Sequence, residues 1–212
     1  MHMKNGQPVD KSGLTEAEFL ASYTSKDYPA PSLTADICVF RIHRQHLELL
    51  LVRRGGHPCI GQWATPGGFV NPNETADEAA ARELAEETHV KSLKLEPIML
   101  LSTPGRDPRG WVVSNAFVAL DDTGAIAEAG DDAAQTQWFR VTAHKEGDHT
   151  QLTLHGKDEE LSSDFAITHL PVSRHLWATD ANGKGLAFDH ASSIAQAWLT
   201  LPEKLRELSL KD

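Results

Sequence analysis

Apolar positions follow two rhythms along this chain. From Ala35, the runs ADICVFRI and LELLLVRR are short, aliphatic and β-branched, and only the polar HRQH separates them, which predicts a β-hairpin. A Gly-rich strand, TPGGFV, follows the loop GGHPCIGQW. After the turn NPNE the period lengthens: Ala76, Ala80 and Leu84 share one stripe, so a helix is expected from a cap at Thr75 or Asp77 to about Thr88. Strands are expected over 93–103, 111–120 and 135–141, the last after an acidic loop at 121–132. The tail places Ala191, Ile194, Ala195 and Trp198 at helical spacing, predicting a packed helical tail over 189–209. Strands, helix, then strands again read as an α/β domain.

The flanks of this pattern are less regular. Residues 1–34 are polar and broken by Pro29 and Pro31, with one amphipathic stretch from Leu14 to Tyr23, and read as an arm carrying one helix. Residues 142–185 alternate strand-like QLTLH and FAITHLPV with the turns GKDEE and DANGKG, and read as an inserted β-rich segment. The remaining 35–212 is expected to fold as one domain.

Composition narrows the function classes. With 212 residues and 40% hydrophobic content the chain can bury a core without crosslinks. No apolar run reaches the roughly 20 residues a spanning helix needs, so no membrane role is expected. The formal net charge of −10 repels polyanions, which disfavours bulk nucleic-acid binding but admits a small phosphorylated substrate screened by divalent metal. Cys38 and Cys59 are too few for a disulfide framework, and MHMK opens without an apolar secretory core, so a cytoplasmic location is expected. The 11 histidines form no H-x-x-x-H pair on a clear helix, so zinc is not expected.

Within the expected helix, Glu83, Glu86 and Glu87 stand at i, i+3 and i+4 and share one face. Adjacent carboxylates repel by a few tenths of a kcal/mol unless a cation sits among them, and clustered oxygen ligands suit Mg²⁺ or Mn²⁺. The wider spacing is more specific. Gly68, Glu74, Arg82-Glu83-Leu84, Glu86-Glu87 and Val90 resemble the signature of the Nudix hydrolases, G-x5-E-x7-R-E-U-x-E-E-x-G-U, where U is bulky and apolar; eight of nine defined positions agree. The likeness extends more loosely over 32–140.

The resemblance implies an α/β/α sandwich with a mixed sheet, and hydrolysis of a nucleoside diphosphate linked to another moiety. It implies that Glu83, Glu86 and Glu87 bind metal, with the Gly68 carbonyl a possible fourth ligand, and that Arg82 pairs with Glu74. Glu86 or Glu87, or a later acidic residue such as Glu128, Asp131 or Asp132, would be the base that orients water. His89 departs from the family's Gly. His tolerates the left-handed region better than most residues, so a local cost of about 1 kcal/mol is expected and no loss of catalysis.

Substrate choice turns on STPGRDPRG. Pro104 lies fourteen residues after Val90, similar to the mark of ADP-ribose pyrophosphatases within the family. Arg106 and Arg109 are expected to offer guanidinium groups to phosphate or ribose oxygens, with Arg53 and Arg54 as further candidates. The expected reaction converts ADP-ribose to AMP and ribose 5-phosphate, and a homodimer is expected from the arm and the 142–185 segment. Two alternatives stand beside it. One is a hydrolase clearing non-standard nucleoside triphosphates. The other is a non-catalytic sensor of ADP-ribose-type ligands, disfavoured because the carboxylates are intact and the stretch after Gly185 is short for a winged helix.

Overall fold

The computed structural model describes residues 2–24, 29–122 and 133–210, with backbone alone for 133 and 134. Glu128, Asp131 and Asp132 therefore lie outside the described residues. The chain divides into two compact units, Met1–Pro31 and Ser32–Asp212. In the first, β1 (Met3–Lys4) and β2 (Gln7–Pro8) pair antiparallel, and α1 spans Glu16–Ser22. Thr15 caps α1 in a reciprocal box with Glu18, and no α1 residue is buried. The second unit begins at Ser32 and not at 35, because Ser32, Leu33 and Thr34 already pair with Val112, Val113 and Ser114.

The second unit is built on one sheet. Its strands are β3 (Ser32–His43), β4 (His46–Arg54), β5 (Trp63–Ala64), β6 (Gly67–Phe69), β7 (Glu96–Leu101), β8 (Val112–Asp121), β9 (Ala133–Glu146), β10 (His149–His155), β11 (Glu160–His169) and β12 (Leu176–Lys184). Among the described residues the spatial order is β12-β11-β10-β9-β4-β3-β8-β7, with β5 on β4 and β6 on β3. The β3–β8 pair is parallel and its neighbours are antiparallel, so the sheet is mixed. The β3–β4 hairpin turns through Arg44 and Gln45, both with positive φ, as the two-residue connection between right-twisted strands requires.

Side chains alternate across this sheet, and each face takes a helix. Ile37, Val39 and Phe117 pack with Ala79, Ala80 and Leu84 of α2 (Ala76–Thr88). Cys38, Phe40, Leu49 and Leu51 face the other way, against Ile194, Ala195 and Trp198 of α3 (His190–Thr200). The result is an α/β/α arrangement in which a side chain such as Leu84 or Trp198 contributes about 1.5–3 kcal/mol by leaving water. A short helix α4 (Glu203–Arg206) and a 3₁₀ turn (Glu207–Ser209) close the chain, and the Trp198 indole donates to Ser209 Oγ at 3.0 Å.

Residues 142–185 are β-rich and continue the same sheet outward. β9 runs unbroken through position 142, and β10, β11 and β12 add to its edge. Their inward residues Leu152, Leu154, Leu161 and Phe165 seat α3. Two buried polar contacts fix its position: Gln196 Oε1 accepts from the Ala178 amide at 3.0 Å, and the Ser163 hydroxyl donates to the Ala191 carbonyl at 2.9 Å. This placement carries the start of α3 to the end of β5 and β6, where the chemistry gathers.

Candidate functional site

A cleft of about 440 Å³ opens where β3, β4, β6, α2, the 103–110 loop and the start of α3 meet. Two glycines make that meeting possible. Gly67 has φ 156°, and a Cβ there would fall 2.7 Å from Asp36 Oδ1; a Cβ on Gly68 would run into the Glu83 carboxylate. A side chain at either position would separate β6 from β3 or from α2.

Helix α2 starts at Thr75 in a capping box with Glu78 and ends at His89, whose φ 61° and ψ 3° are left-handed, the conformation expected for a residue in the signature's glycine position. Arg82 organises the face between these ends. Its guanidinium grips Glu74 through Nη2 at 2.6 Å and Nε at 3.1 Å, donates to the Phe69 carbonyl at 3.0 Å, and reaches Glu83 at 2.7 Å and Glu86 at 3.1 Å through Nη1. The Arg82 hydrogen bonds hold the Glu74 carboxyl well below its usual range, at about 2. The repulsion within the carboxylate stripe is thus relieved by one cation from the same helix.

The three glutamates differ in setting. Glu83 and Glu87 line the cleft; Glu86 does not, and its side chain is 58% exposed. Glu87 Oε2 accepts from the Gly67 amide at 2.9 Å. Burial pushes the Glu87 carboxyl up to about 7; the Gly67 bond opposes the rise, and Glu83 and Asp36 add to it. Asp36 sits on β3 as a buried acid in an apolar strand and accepts a short hydrogen bond from the Ser114 hydroxyl. It joins Glu83 and Glu87 in the cleft lining and was not among the residues singled out from sequence. The signal was present, since an acid inside the run ADICVF is costly unless it is paired or functional.

The same cleft also holds basic side chains. Arg53, Arg54, Arg106 and Arg109 all line the cleft, but none is a free guanidinium. The Arg106 side chain, only 5% exposed, makes a bidentate pair with Asp189 at 2.6 and 2.7 Å. Arg109 pairs with the buried Asp107 at 2.7 Å and stands 4.9 Å from the Phe69 ring centroid and 5.5 Å from that of Phe188. Arg53 Nε donates to the Gly61 carbonyl, and Arg54 Nε to the Pro58 carbonyl. Pro104 is not in the lining. It occupies a tight turn closed by the Arg106 amide on the Thr103 carbonyl, with Gly105 at φ 78° beside it, so it shapes the loop without reaching the cleft.

The last part of the wall arrives from far along the chain. The Trp63 amide donates to the Gly185 carbonyl, and the Ala187 amide to the Trp63 carbonyl, seating 185–187 on β5. Phe188, Asp189 and His190 follow. Phe188 holds φ 49°, a strained state of order 1–3 kcal/mol for an aromatic residue, and places its ring in the lining beside His190.

Comparison with known proteins fits this arrangement. Residues 32–159 match the family described as the NUDIX domain. The chain belongs to the Nudix family. It is 34% identical over 165 residues to the "ADPR responsive transcriptional repressor NtrR" of Acinetobacter baylyi, covering 75% of this chain and 66% of that protein. It is 45% identical over 96 residues to an ADP-ribose pyrophosphatase of Methanocaldococcus jannaschii, covering 43% of this chain and 54% of that one. The chain thus spans less than two thirds of the length of either relative. A MutT/nudix family protein from Enterococcus faecalis superimposes with a TM-score of 0.72 at 32% identity, over 95% of this chain and 80% of that structure. The mixed sheet between α2 and α3 is the Nudix fold.

Nudix hydrolases use divalent metal ions, and the donors here are of the right kind. Glu83, Glu87 and the Gly68 backbone share one cleft, and the missing Gly68 Cβ leaves the Glu83 carboxylate against the strand that carries the Gly68 carbonyl. Among the described residues, no three acidic, histidine or cysteine side chains are already gathered as a metal cage. Arg82 accounts for this at the signature, since it draws Glu83 and Glu86 to itself. Among the described residues no helix is long and apolar enough to cross a membrane.

Proposed function

We propose that this Nudix protein is a metal-dependent pyrophosphohydrolase whose substrate is ADP-ribose or a near relative. The observation that carries the reading is one cleft lined by both signs of charge, Glu83, Glu87 and Asp36 together with Arg54, Arg106 and Arg109. A diphosphate needs both: cations against its oxygens and carboxylates that hold divalent metal and direct water. Glu83 and Glu87 would hold Mg²⁺ or Mn²⁺ with Glu86 and the Gly68 carbonyl, Glu86 by turning away from Arg82. When bound, the ion supplies charge neutralisation at phosphate and a more acidic water. Arg82 positions the carboxylates, and Arg109 holds the diphosphate from the lining of the same cleft. Glu87 is a better placed base than Glu86, because it faces the cleft while Glu86 faces solvent. The similarity to an ADP-ribose pyrophosphatase supports the choice of substrate.

A panel of ADP-ribose, NADH, sugar nucleotides, dinucleoside polyphosphates and nucleoside triphosphates, scored by kcat/KM with Mg²⁺, tests this. ADP-ribose or a near relative is expected to lead, with AMP and ribose 5-phosphate as products. Arg109→Ala is expected to cost about 1–3 kcal/mol in kcat/KM, the loss typical of a charged hydrogen bond. A triphosphate in the lead, with pyrophosphate released and no effect at Arg109, contradicts the reading and favours the nucleotide-clearing alternative.

The likeness to a transcriptional repressor favours one second reading, a sensor that binds ADP-ribose-type ligands. Retained Glu83, Glu86 and Glu87 weigh against it, because ligand binding alone does not require them. Free Cys38 and Cys59 support a reducing compartment, the cytoplasm. A homodimer is also proposed, on the exposed Phe19 and Leu20 of the arm helix and Tyr23 just after it. Sedimentation is expected to give twice the 23.2 kDa chain mass; a single-chain mass across micromolar concentrations contradicts it.

A further inference from the structure

His190 is the first residue of α3, lies beyond the span matched to the NUDIX domain, and is only 5% exposed while lining the cleft. Its ring is fixed by Thr65. The Thr65 amide can only donate, and it donates to His190 Nδ1 at 3.0 Å, so that nitrogen carries no proton; the Thr65 hydroxyl lies 2.8 Å from the same atom. Burial holds the imidazole below its ordinary range, with Arg106 and Arg54 acting in the same direction and Asp36 and Asp189 against it. A neutral ring with Nδ1 bare carries its proton on Nε2. No acceptor for Nε2 occurs among the described residues. The Phe188 ring stacks on the imidazole with centroids 5.7 Å apart, which limits its rotation.

The cleft around this N–H carries both signs: Asp36 and Asp189 act on the His190 ring, and Arg106 and Arg54 act on it less strongly. Arg54 and Arg106 line the cleft with His190, so a diphosphate held by these guanidinium groups brings its oxygens, which can only accept, into the same lining. We propose that His190 Nε2–H donates a hydrogen bond to a non-bridging oxygen of the substrate's diphosphate, making His190 a substrate-binding residue. The assignment rests on the pyrophosphohydrolase reading and deepens it by naming a neutral donor from the start of α3. A fixed N–H in a buried wall loses its water when substrate enters, and a phosphoryl oxygen replaces that water with a charge-assisted bond.

His190→Asn separates this role from a structural one. The Asn carbonyl can accept from the Thr65 amide in place of Nδ1, but nothing then donates from the position of Nε2. With Mg²⁺ and ADP-ribose, His190→Asn is expected to raise KM about 10- to 100-fold, leave kcat within about threefold and keep the thermal midpoint. An unchanged KM overturns the proposal. A second measurement covers the case in which the variant is unstable: ring ¹⁵N–¹H spectra of the wild-type protein with Mg²⁺ and either α,β-methylene ADP-ribose or inorganic pyrophosphate. The His190 Nε2–H resonance is expected to move downfield with both. If the analogue moves other cleft resonances and not this one, the His190 assignment fails while the substrate reading stands. If pyrophosphate moves it and the analogue moves nothing, His190 stands and the ADP-ribose reading fails. Movement with the analogue alone places the contact on ribose and overturns the diphosphate assignment.

Discussion

Glu87→Gln is expected to lower turnover by at least about a hundredfold while leaving the protein folded, a loss of about 2.7 kcal/mol in transition-state stabilisation. The amide oxygen of Gln can still accept from the Gly67 amide, so the link between α2 and β6 survives. What disappears is the anionic charge that Glu87 brings to the cleft beside Glu83 and Asp36. Without it a divalent ion is held less tightly and a water loses its acceptor, and both effects fall on the chemical step. Steady-state assays at saturating Mg²⁺ check this, with circular dichroism to show that the fold is kept. Turnover within threefold of wild type would remove Glu87 from the machinery.

The Arg106–Asp189 pair is where a single substitution should cost the fold most among the cleft residues. Asp189→Ala leaves Arg106 with its charge in a wall where only 5% of its side chain meets water. Removing one partner of a buried pair typically costs 3–5 kcal/mol; because Asp189 is about a quarter exposed, about 2–4 kcal/mol is expected here. The same pair joins the 103–110 loop to the start of α3, so KM should rise as well. Urea unfolding reads the change as a lower midpoint at an unaltered slope. A shift worth less than about 0.5 kcal/mol would mean that water or another anion replaces Asp189 freely.

Local chemistry made the α2 signature legible. Thr75 and Glu78 cap the helix, Ala80 and Leu84 set its buried face, and His89 ends it in the left-handed region, all within one short stretch of chain. The β3–β4 hairpin was equally plain, because its pairing is between neighbours in sequence. The sheet's extension by β10, β11 and β12 was harder to read. Their alternation says strand, but not that β10 pairs with an unbroken β9, which is a choice made by packing against α3.

The cleft was only half visible for the same reason. Glu83, Glu87 and Arg82 announce themselves by spacing. Asp36, Phe188 and His190 meet in the lining, with Asp189 behind it on Arg106, only because β3, β5 and α3 converge, and no spacing rule connects residues 36 and 190. Arg106 and Arg109 were legible as cations beside the site, while their partners Asp189 and Asp107 were not. Pro104 carried a family mark, yet its part is to turn the loop.

The most direct measurement follows ADP-ribose and Mg²⁺ by ³¹P NMR with the wild-type chain and Glu87→Gln side by side. Cleavage of the pyrophosphate bond should replace the diphosphate signals with those of AMP and ribose 5-phosphate in the wild type, and at least about a hundredfold more slowly in the variant. Diphosphate signals that broaden on binding and never convert would contradict hydrolysis and leave a sensor in its place.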